Sequence, residues 1–588
     1  MRYTVRVDRP NDHRAEFVTL VPDVRGPHVD FVLPSWVPGS YWIQDPARSV
    51  RDVAAWTKGR TAPLPVERVE KARWRVATPD AEAIELTHTV YGHQLITEAL
   101  DVTDDHLFVN AGFCLPYVDG RANEPCEIAL DLPPGWRAYA ELPDVGSHPP
   151  TFRAEDYDAL VDAPIDCGTP LELGTTARGI PHRILLCGAG GNFEAHRLEA
   201  DLGAIAEAAI DLLGGSPLRR YTFFCHLNEI SDGALEHRGS VSFVMPRTTF
   251  RPASAYRWFL RVSAHEYFHL YNVKRIRPKV FDPIDYTREV YTRLLWAMEG
   301  LTDYYAYLLL RRAGLVPPSR TLTDLAGLVR QLLATPGRAV TSLELASLQA
   351  WVDLYRPYEE SPNQSVSYYL KGTLVSLCLD LELRHRSENR RSLDDVVRHL
   401  YAAYGVPRRG LGEDEFPAAV EAATGVDVRA LYDALVRTTE EIDFGRFLAH
   451  AGLELREKPK PPGPDDDEPA GYLGIEVEER RGLARIARVL DGGPGRRDGL
   501  SPGDEIVAFN NVRVRHDEFA SALARFPAGS DLAITVFRRG YLTTVRTTPG
   551  TSPPEAYEIV PRAEAGPLEK AVYEGWLKAP WTPPKAPG

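Results

Sequence analysis

His265, Glu266 and His269 stand in the order His-Glu-Tyr-Phe-His, an H-E-x-x-H spacing that lets two imidazoles hold one divalent cation. On a helix, residues four apart lie one turn above each other on the same face, while the residue after the first histidine turns toward a flank. Glu266 is placed there, within reach of a water that a cation activates, and the chemistry this implies is hydrolysis. A hydrolytic site needs one more protein donor and an open fourth position. Glu299, thirty residues after His269 in the run Leu294-Leu295-Trp296-Ala297-Met298-Glu299-Gly300-Leu301-Thr302-Asp303, supplies that donor. Asp303 follows one helical turn later, where a carboxylate can accept the second N–H of a ligating histidine and fix its tautomer. Two nitrogens and one oxygen suit zinc, expected at one ion per chain, and leave cobalt or manganese open.

These groups need two helices to carry them. Ala255 to Tyr271 and Leu294 to Leu310 both have apolar residues at intervals of three and four, and further helices are expected over Leu374 to Leu383 and Leu393 to Tyr404. Ahead of them, Arg183 to Leu186, Tyr221 to His226 and Ser240 to Val244 read as strands, with a helix from Phe193 to Leu213. The first 170 residues differ in character, with short alternating runs such as Tyr3 to Val7 broken by Pro34, Pro38, Gly39, Pro133, Pro134 and Gly135, and read as an all-β domain. Lys458 to Pro469 joins prolines to a block of carboxylates and reads as a linker. Short strands and Gly-Pro turns follow from Gly471 to Thr548, with a helical stretch near Glu518 to Ala524. The expected division is 1–170 all-β, 171–456 catalytic, 457–470 acidic Pro-rich linker, 471–549 small domain and 550–588 Pro-rich tail. No fold is assigned to the tail, although Tyr573 and Trp576 could dock it.

A chain of 588 residues with 44% hydrophobic and 26% charged residues has the composition of a multidomain globular protein. Its 68 Lys and Arg against 82 Asp and Glu give a net charge of -14, which offers nucleic acid no general attraction. Cys114, Cys126, Cys167, Cys187, Cys225 and Cys378 contain no C-x-x-C pair, so neither a disulfide framework nor a thiolate zinc site can be read. The amino terminus opens directly on a strand pattern without the apolar stretch of a signal peptide, and no run reaches the roughly 18 to 20 apolar residues that cross a bilayer. The expectation is a cytoplasmic protein without membrane partners; oligomeric state is not legible.

H-E-x-x-H followed by W-x-x-E-G and E-x-x-x-D resembles the gluzincin metallopeptidases. His265 to Pro278 and Glu299-Gly-Leu-Thr-Asp-Tyr-Tyr are similar to the glycyl aminopeptidase family, with Tyr271 where that family usually has tryptophan. Leu33-Pro34-Ser35-Trp36-Val37-Pro38-Gly39-Ser40-Tyr41 resembles a signature of the family's amino-terminal β domain and is read here as a Pro-Gly turn flanked by core aromatics. The resemblance implies a thermolysin-like catalytic domain that mixes α+β and helical parts. It also implies that Tyr369, in Tyr368-Tyr369-Leu370-Lys371-Gly372, donates its hydroxyl to the tetrahedral intermediate, with Tyr368 as the other candidate. Gly233-Ala234-Leu235-Glu236, after Asp232, resembles the segment in which a glutamate binds the substrate's free amine, and His237 stands where the family commonly has asparagine. A strand edge there could pair with an extended peptide.

Gly471-Tyr472-Leu473-Gly474-Ile475 and Gly499-Leu500-Ser501-Pro502-Gly503-Asp504-Glu505-Ile506 resemble a PDZ domain, with Tyr472, Leu473, Gly474 and Ile475 as the loop that would take a carboxy-terminal peptide ligand. The implied activity is a zinc aminopeptidase acting on amino-terminal residues of peptides, small ones such as glycine preferred. A PDZ-assisted endopeptidase and a non-catalytic peptide-binding scaffold are the alternatives.

Overall fold

The alternation that fills the amino-terminal region folds into strands whose burial follows the same period. Arg14–Val21 buries every second side chain, as a strand with one face on a core must. The computed structural model describes residues 1–78, 81–188, 190–229, 233–458 and 471–583. Contacts divide the chain into two units, one of residues 1–292, 305–315 and 397–413, the other of residues 293–304, 316–396 and 414–588.

In the first unit, Arg2–Arg6 lies near the middle of an eight-stranded sheet, parallel to Cys126–Asp131 on one side and antiparallel to Arg14–Val21 on the other. Two four-stranded sheets complete the all-β domain, around a core that includes Tyr3, Phe17, Leu107, Ile128 and Leu160. A second architecture begins at Leu171. Ile180–Cys187, Tyr221–Asn228 and Ser240–Pro246 run parallel in the middle of a five-stranded sheet, and Ala195–Leu213 is the crossover helix joining the first two. Seven of the eight residues of Tyr221–Asn228 are buried, as expected of a parallel strand covered on both faces. Gly233–Glu236 closes the sheet antiparallel to Ser240–Pro246 and ends the strand order on that side, with the helix Ala253–His269 beside it.

The second unit is mainly helical before residue 450. Trp296–Gly300 is a π-helical turn that runs into the helix Leu301–Arg312, and Tyr368–Arg386 packs against that turn. The contact is closest at two glycines: a Cβ on Gly300 would lie 2.5 Å from Gly372 Cα. Only residues without side chains permit this approach.

The PDZ domain holds five of its strands in one order, Ile475–Arg480 at one edge and Tyr541–Thr547 at the other, around Leu473, Ile486, Ile506, Leu532 and Val536. It is tied to the helical part of the same unit by Asn363, 1% exposed, whose Nδ2 donates to the Val489 carbonyl at 2.9 Å and whose Oδ1 accepts from the Asp491 N–H at 2.8 Å. Arg496 pairs with Glu360 alongside. Removing the amide leaves the Val489 carbonyl, on a buried residue, and the Asp491 N–H without this partner. Asn363→Ala is therefore expected to weaken this docking by about 1 to 3 kcal/mol, read as faster limited proteolysis near residue 360 with the PDZ domain itself still folded.

The carboxy-terminal tail has more structure than its prolines suggest. Ala556–Pro561 pairs antiparallel with Leu453–Lys458, and Pro567–Leu577 is a helix that buries Tyr573 and Trp576. The Trp576 indole donates to the Tyr304 hydroxyl at 2.9 Å. Pro567 sits at the first helical position, where a missing N–H costs nothing. Of the expected linker, residues 459–470 lie outside those described.

Candidate active site

The helix Ala253–His269 turns its last seven residues, Ser263 to His269, into the protein interior. His265 is 8% exposed, Glu266 6% and His269 1%. Nδ1 of His269 lies 2.8 Å from the carbonyl oxygen of Asn272. A carbonyl only accepts, so Nδ1 carries the proton and a neutral ring keeps its lone pair on Nε2. That lone pair faces Nε2 of His265 at 2.9 Å.

Glu299, 2% exposed, lies in the π-helical turn Trp296–Gly300, in the second unit. Two imidazole nitrogens 2.9 Å apart that share at most one proton fit a divalent cation. The helix after the turn is anchored where Tyr305 stacks on Phe268, ring centroids 4.7 Å apart.

Asp303 accepts a hydrogen bond from Thr373 Oγ1 at 3.3 Å, so the helix Tyr368–Arg386 orients it. Tyr368 is fully buried, whereas Tyr369, at the first turn of the same helix, is half-buried with its ring stacked on Tyr368. Of the two hydroxyls, that of Tyr369 belongs to the more accessible side chain. Tyr271 is fully buried and donates to the Gly215 carbonyl at 2.9 Å; the residue that departs from the tryptophan pattern is part of the core.

Gly233, Ala234 and Glu236 occupy the edge strand, in register with Val244, Phe243 and Val241; Asp232 lies outside the described residues. Glu236 is 5% exposed, and a carboxylate oxygen of it lies within 4.8 Å of one of Glu266 and of a ring nitrogen of His269. The surroundings of Glu236 are not legible in the motif. Lys274 Nζ sits 2.9 Å from Asp162 and 3.5 Å from Glu236 Oε1. Burial alone would lower its pKa, but Asp162 and Glu236 raise it above the ordinary lysine value. Asp162 itself is buried, which opposes its ionisation, yet Lys274 and Arg238 bring it down to about 2. His237 is lowered to about 3, chiefly by burial, and is a neutral core residue at physiological pH.

A further neighbour, like Asp162, comes from the amino-terminal domain. Trp36 and Tyr41 pack with Phe281 as core aromatics, as expected of the Pro-Gly turn. Gly39, however, abuts the site: a Cβ there would lie 3.0 Å from both oxygens of Glu236 and 2.5 Å from Leu235 Cδ1. Its φ of +100° is also one that side chains rarely adopt. The loop thus narrows the space around Glu236 along with Asp162, Lys274 and Phe281.

In the PDZ loop, Gly474 has φ +69°, and a Cβ would meet Gly493 Cα at 2.8 Å. The carbonyls of Leu473 and Gly474 accept from Gly495 and Leu490, turning them into the domain. Tyr472 pairs in both directions with Gly550, and Ile475 begins the edge strand.

Among the described residues no helix is long and apolar enough to cross a membrane. Comparison with known proteins matches the M61 glycyl aminopeptidase model over residues 258–375, the peptidase M61 N-terminal domain over 2–169 and a PDZ domain over 471–548. Among solved structures, an aminopeptidase N family protein from Idiomarina loihiensis superposes with a TM-score of 0.90 at 27% identity, covering 98% of this chain and 99% of that chain. An M1 zinc metallopeptidase from Deinococcus radiodurans reaches a TM-score of 0.49 at 14% identity, covering 75% of this chain and 94% of that chain, a distance at which it carries no functional information. No curated protein matches the sequence. The β domain, the helices bearing His265, His269 and Glu299, and the PDZ domain all fall within the matched stretches, and the chain is a zinc metallopeptidase with an M61 glycyl aminopeptidase region, the M61 amino-terminal domain and a carboxy-terminal PDZ domain.

Proposed function

We propose that this protein removes single residues from the free amino termini of peptides, with His265, His269 and Glu299 holding one zinc ion at the reacting centre and Glu266 as its general base. The observation that carries the reading is the proximity of Glu236 to Glu266 and His269, all within 4.8 Å by their ligand atoms. In an amino acid the α-nitrogen lies only about 2.5 Å from its own carbonyl carbon. A carboxylate that recognises the ammonium must therefore sit beside the hydrolytic group if the first peptide bond is the one cut. An endopeptidase has no use for a buried anion at that place.

The ion, when bound, supplies Lewis-acid polarisation of a water and of the scissile carbonyl. Glu266 takes the proton of the attacking water and passes it to the leaving amine. Tyr369 donates its hydroxyl to the oxygen on which charge develops. Glu236 holds the substrate ammonium, and the backbone at Gly233 and Ala234 aligns the peptide along the strand edge. Asp303 orients a ligating histidine; Asp303→Ala is expected to weaken zinc affinity about 10- to 100-fold, checked by competition with a chromophoric chelator.

The close approach of Gly39 to Glu236 favours a small first residue, glycine or alanine. Hydrolysis of peptides that differ only in that residue, before and after metal removal and zinc return, tests the proposal. A fall in kcat/KM from glycine to leucine, with all activity zinc-dependent, is expected; equal rates across the series would discard the size preference, and activity without metal would discard the mechanism. The PDZ loop at Tyr472, Leu473, Gly474 and Ile475 would take the carboxy terminus of a peptide ligand.

A further inference from the structure

A second set of metal-binding side chains converges away from the H-E-x-x-H helix. His106 stands on the strand His106–Val109 and Asp166 on Ile165–Gly168, both in the all-β domain, paired through Phe108↔Asp166. Cys187 ends the strand Ile180–Cys187 and is in register with His226 of Tyr221–Asn228, both in the catalytic sheet. The four ligand atoms lie within 4.8 Å of one another. Nε2 of His226 is 2.7 Å from Asp166 Oδ2, Nε2 of His106 is 3.1 Å from the same oxygen, and Cys187 Sγ is 3.5 Å from Oδ1 and 3.7 Å from Oδ2.

The orientation of the rings favours a cation. His226 Nδ1 lies 2.9 Å from the Phe243 carbonyl oxygen, so it must carry a proton and a neutral His226 turns the lone pair of Nε2 toward the carboxylate. Two acceptors at 2.7 Å require something positive between them. Without metal this must be a proton, giving an imidazolium at 1% side-chain exposure beside a carboxylate at 0%. With a divalent ion, two neutral imidazoles, one carboxylate and one thiolate balance the charge. The edges of a tetrahedral zinc site with ligand distances of about 2.0 to 2.3 Å are roughly 3.3 to 3.6 Å, so His226 and Asp166, at 2.7 Å, open by roughly 0.6 Å, while His106 and Cys187, at 3.1 and 3.5 Å from the carboxylate, are already near those edges. The His106 side chain, 13% exposed, gives the site a route to solvent.

We propose that His106, Asp166, Cys187 and His226 form a second, structural zinc site that ties the amino-terminal β domain to the sheet of the catalytic domain. All four positions are filled by protein donors, which suits a structural site rather than a catalytic one. The His265 site has no sulfur donor, and this distinguishes the two by spectroscopy.

The full-length protein is equilibrated with zinc, desalted and its metal counted by mass spectrometry. The expected result is two zinc ions per chain in the wild type and one in either His265→Ala or Cys187→Ser, with peptide hydrolysis kept by Cys187→Ser. After cobalt replaces zinc, a near-ultraviolet thiolate-to-cobalt charge-transfer band is expected in the wild type and in His265→Ala and absent from Cys187→Ser. The wild type and His265→Ala alone decide the matter if Cys187→Ser does not fold. A single zinc per wild-type chain that disappears in His265→Ala, or a second ion without the charge-transfer band, overturns the proposal and leaves a buried imidazolium–carboxylate pair.

Discussion

Glu266→Gln is expected to lower kcat for peptide hydrolysis by about 10³-fold or more while leaving zinc content unchanged. The amide keeps the size of the side chain but cannot accept a proton from the attacking water. A positioned general acid–base typically contributes about 10² to 10⁴ in rate, and the upper part of that range applies because one group both takes and returns the proton. Since Glu266 is not among the residues proposed to hold the ion, metal counting on the same sample separates loss of the base from loss of the cation. A variant that retains zinc and more than a tenth of the wild-type rate would contradict the assignment.

Glu236→Gln is expected to act on recognition. Glu236 is 5% exposed, and a buried ammonium that loses its carboxylate partner costs about 2 to 5 kcal/mol, roughly 30- to several-thousand-fold in kcat/KM. Lys274 keeps its closer partner, Asp162 at 2.9 Å, so the surrounding ion pair survives the substitution. The fall should appear with peptides bearing a free amino terminus, measured as kcat/KM on a glycine-initiated peptide. An unchanged value would mean that the amine is recognised elsewhere.

What the sequence disclosed depended on whether the chemistry was local. The H-E-x-x-H pair lies within one helix, and the glutamate and aspartate that follow lie within one turn of each other, so their spacing carried the message. The π-helical form of Trp296–Gly300 was not legible, because an i→i+5 turn uses the same apolar intervals as an α-helix. The need for glycine at Gly300 and Gly372 likewise appears only when the two helices meet. Lys274 beside Glu236, Gly39 beside the same carboxylate, and Cys187 beside His226 depend on folding across tens to hundreds of residues. Cys187 in particular read as an ordinary core thiol because its neighbours share no local spacing with it. The tail was underestimated for another reason: its prolines flank the strand and start the helix, where they are compatible with regular structure, and burial of Trp576 does the rest.

The central claim is that a buried carboxylate beside the hydrolytic group restricts cleavage to free amino termini. Its most direct test is a matched pair of peptides, identical except that one is acetylated at its amino terminus, incubated with the zinc-loaded protein and analysed by mass spectrometry. Release of the first residue from the free peptide, with the acetylated one intact, is the predicted result; cleavage of both at the same internal bond would contradict it and make the protein an endopeptidase.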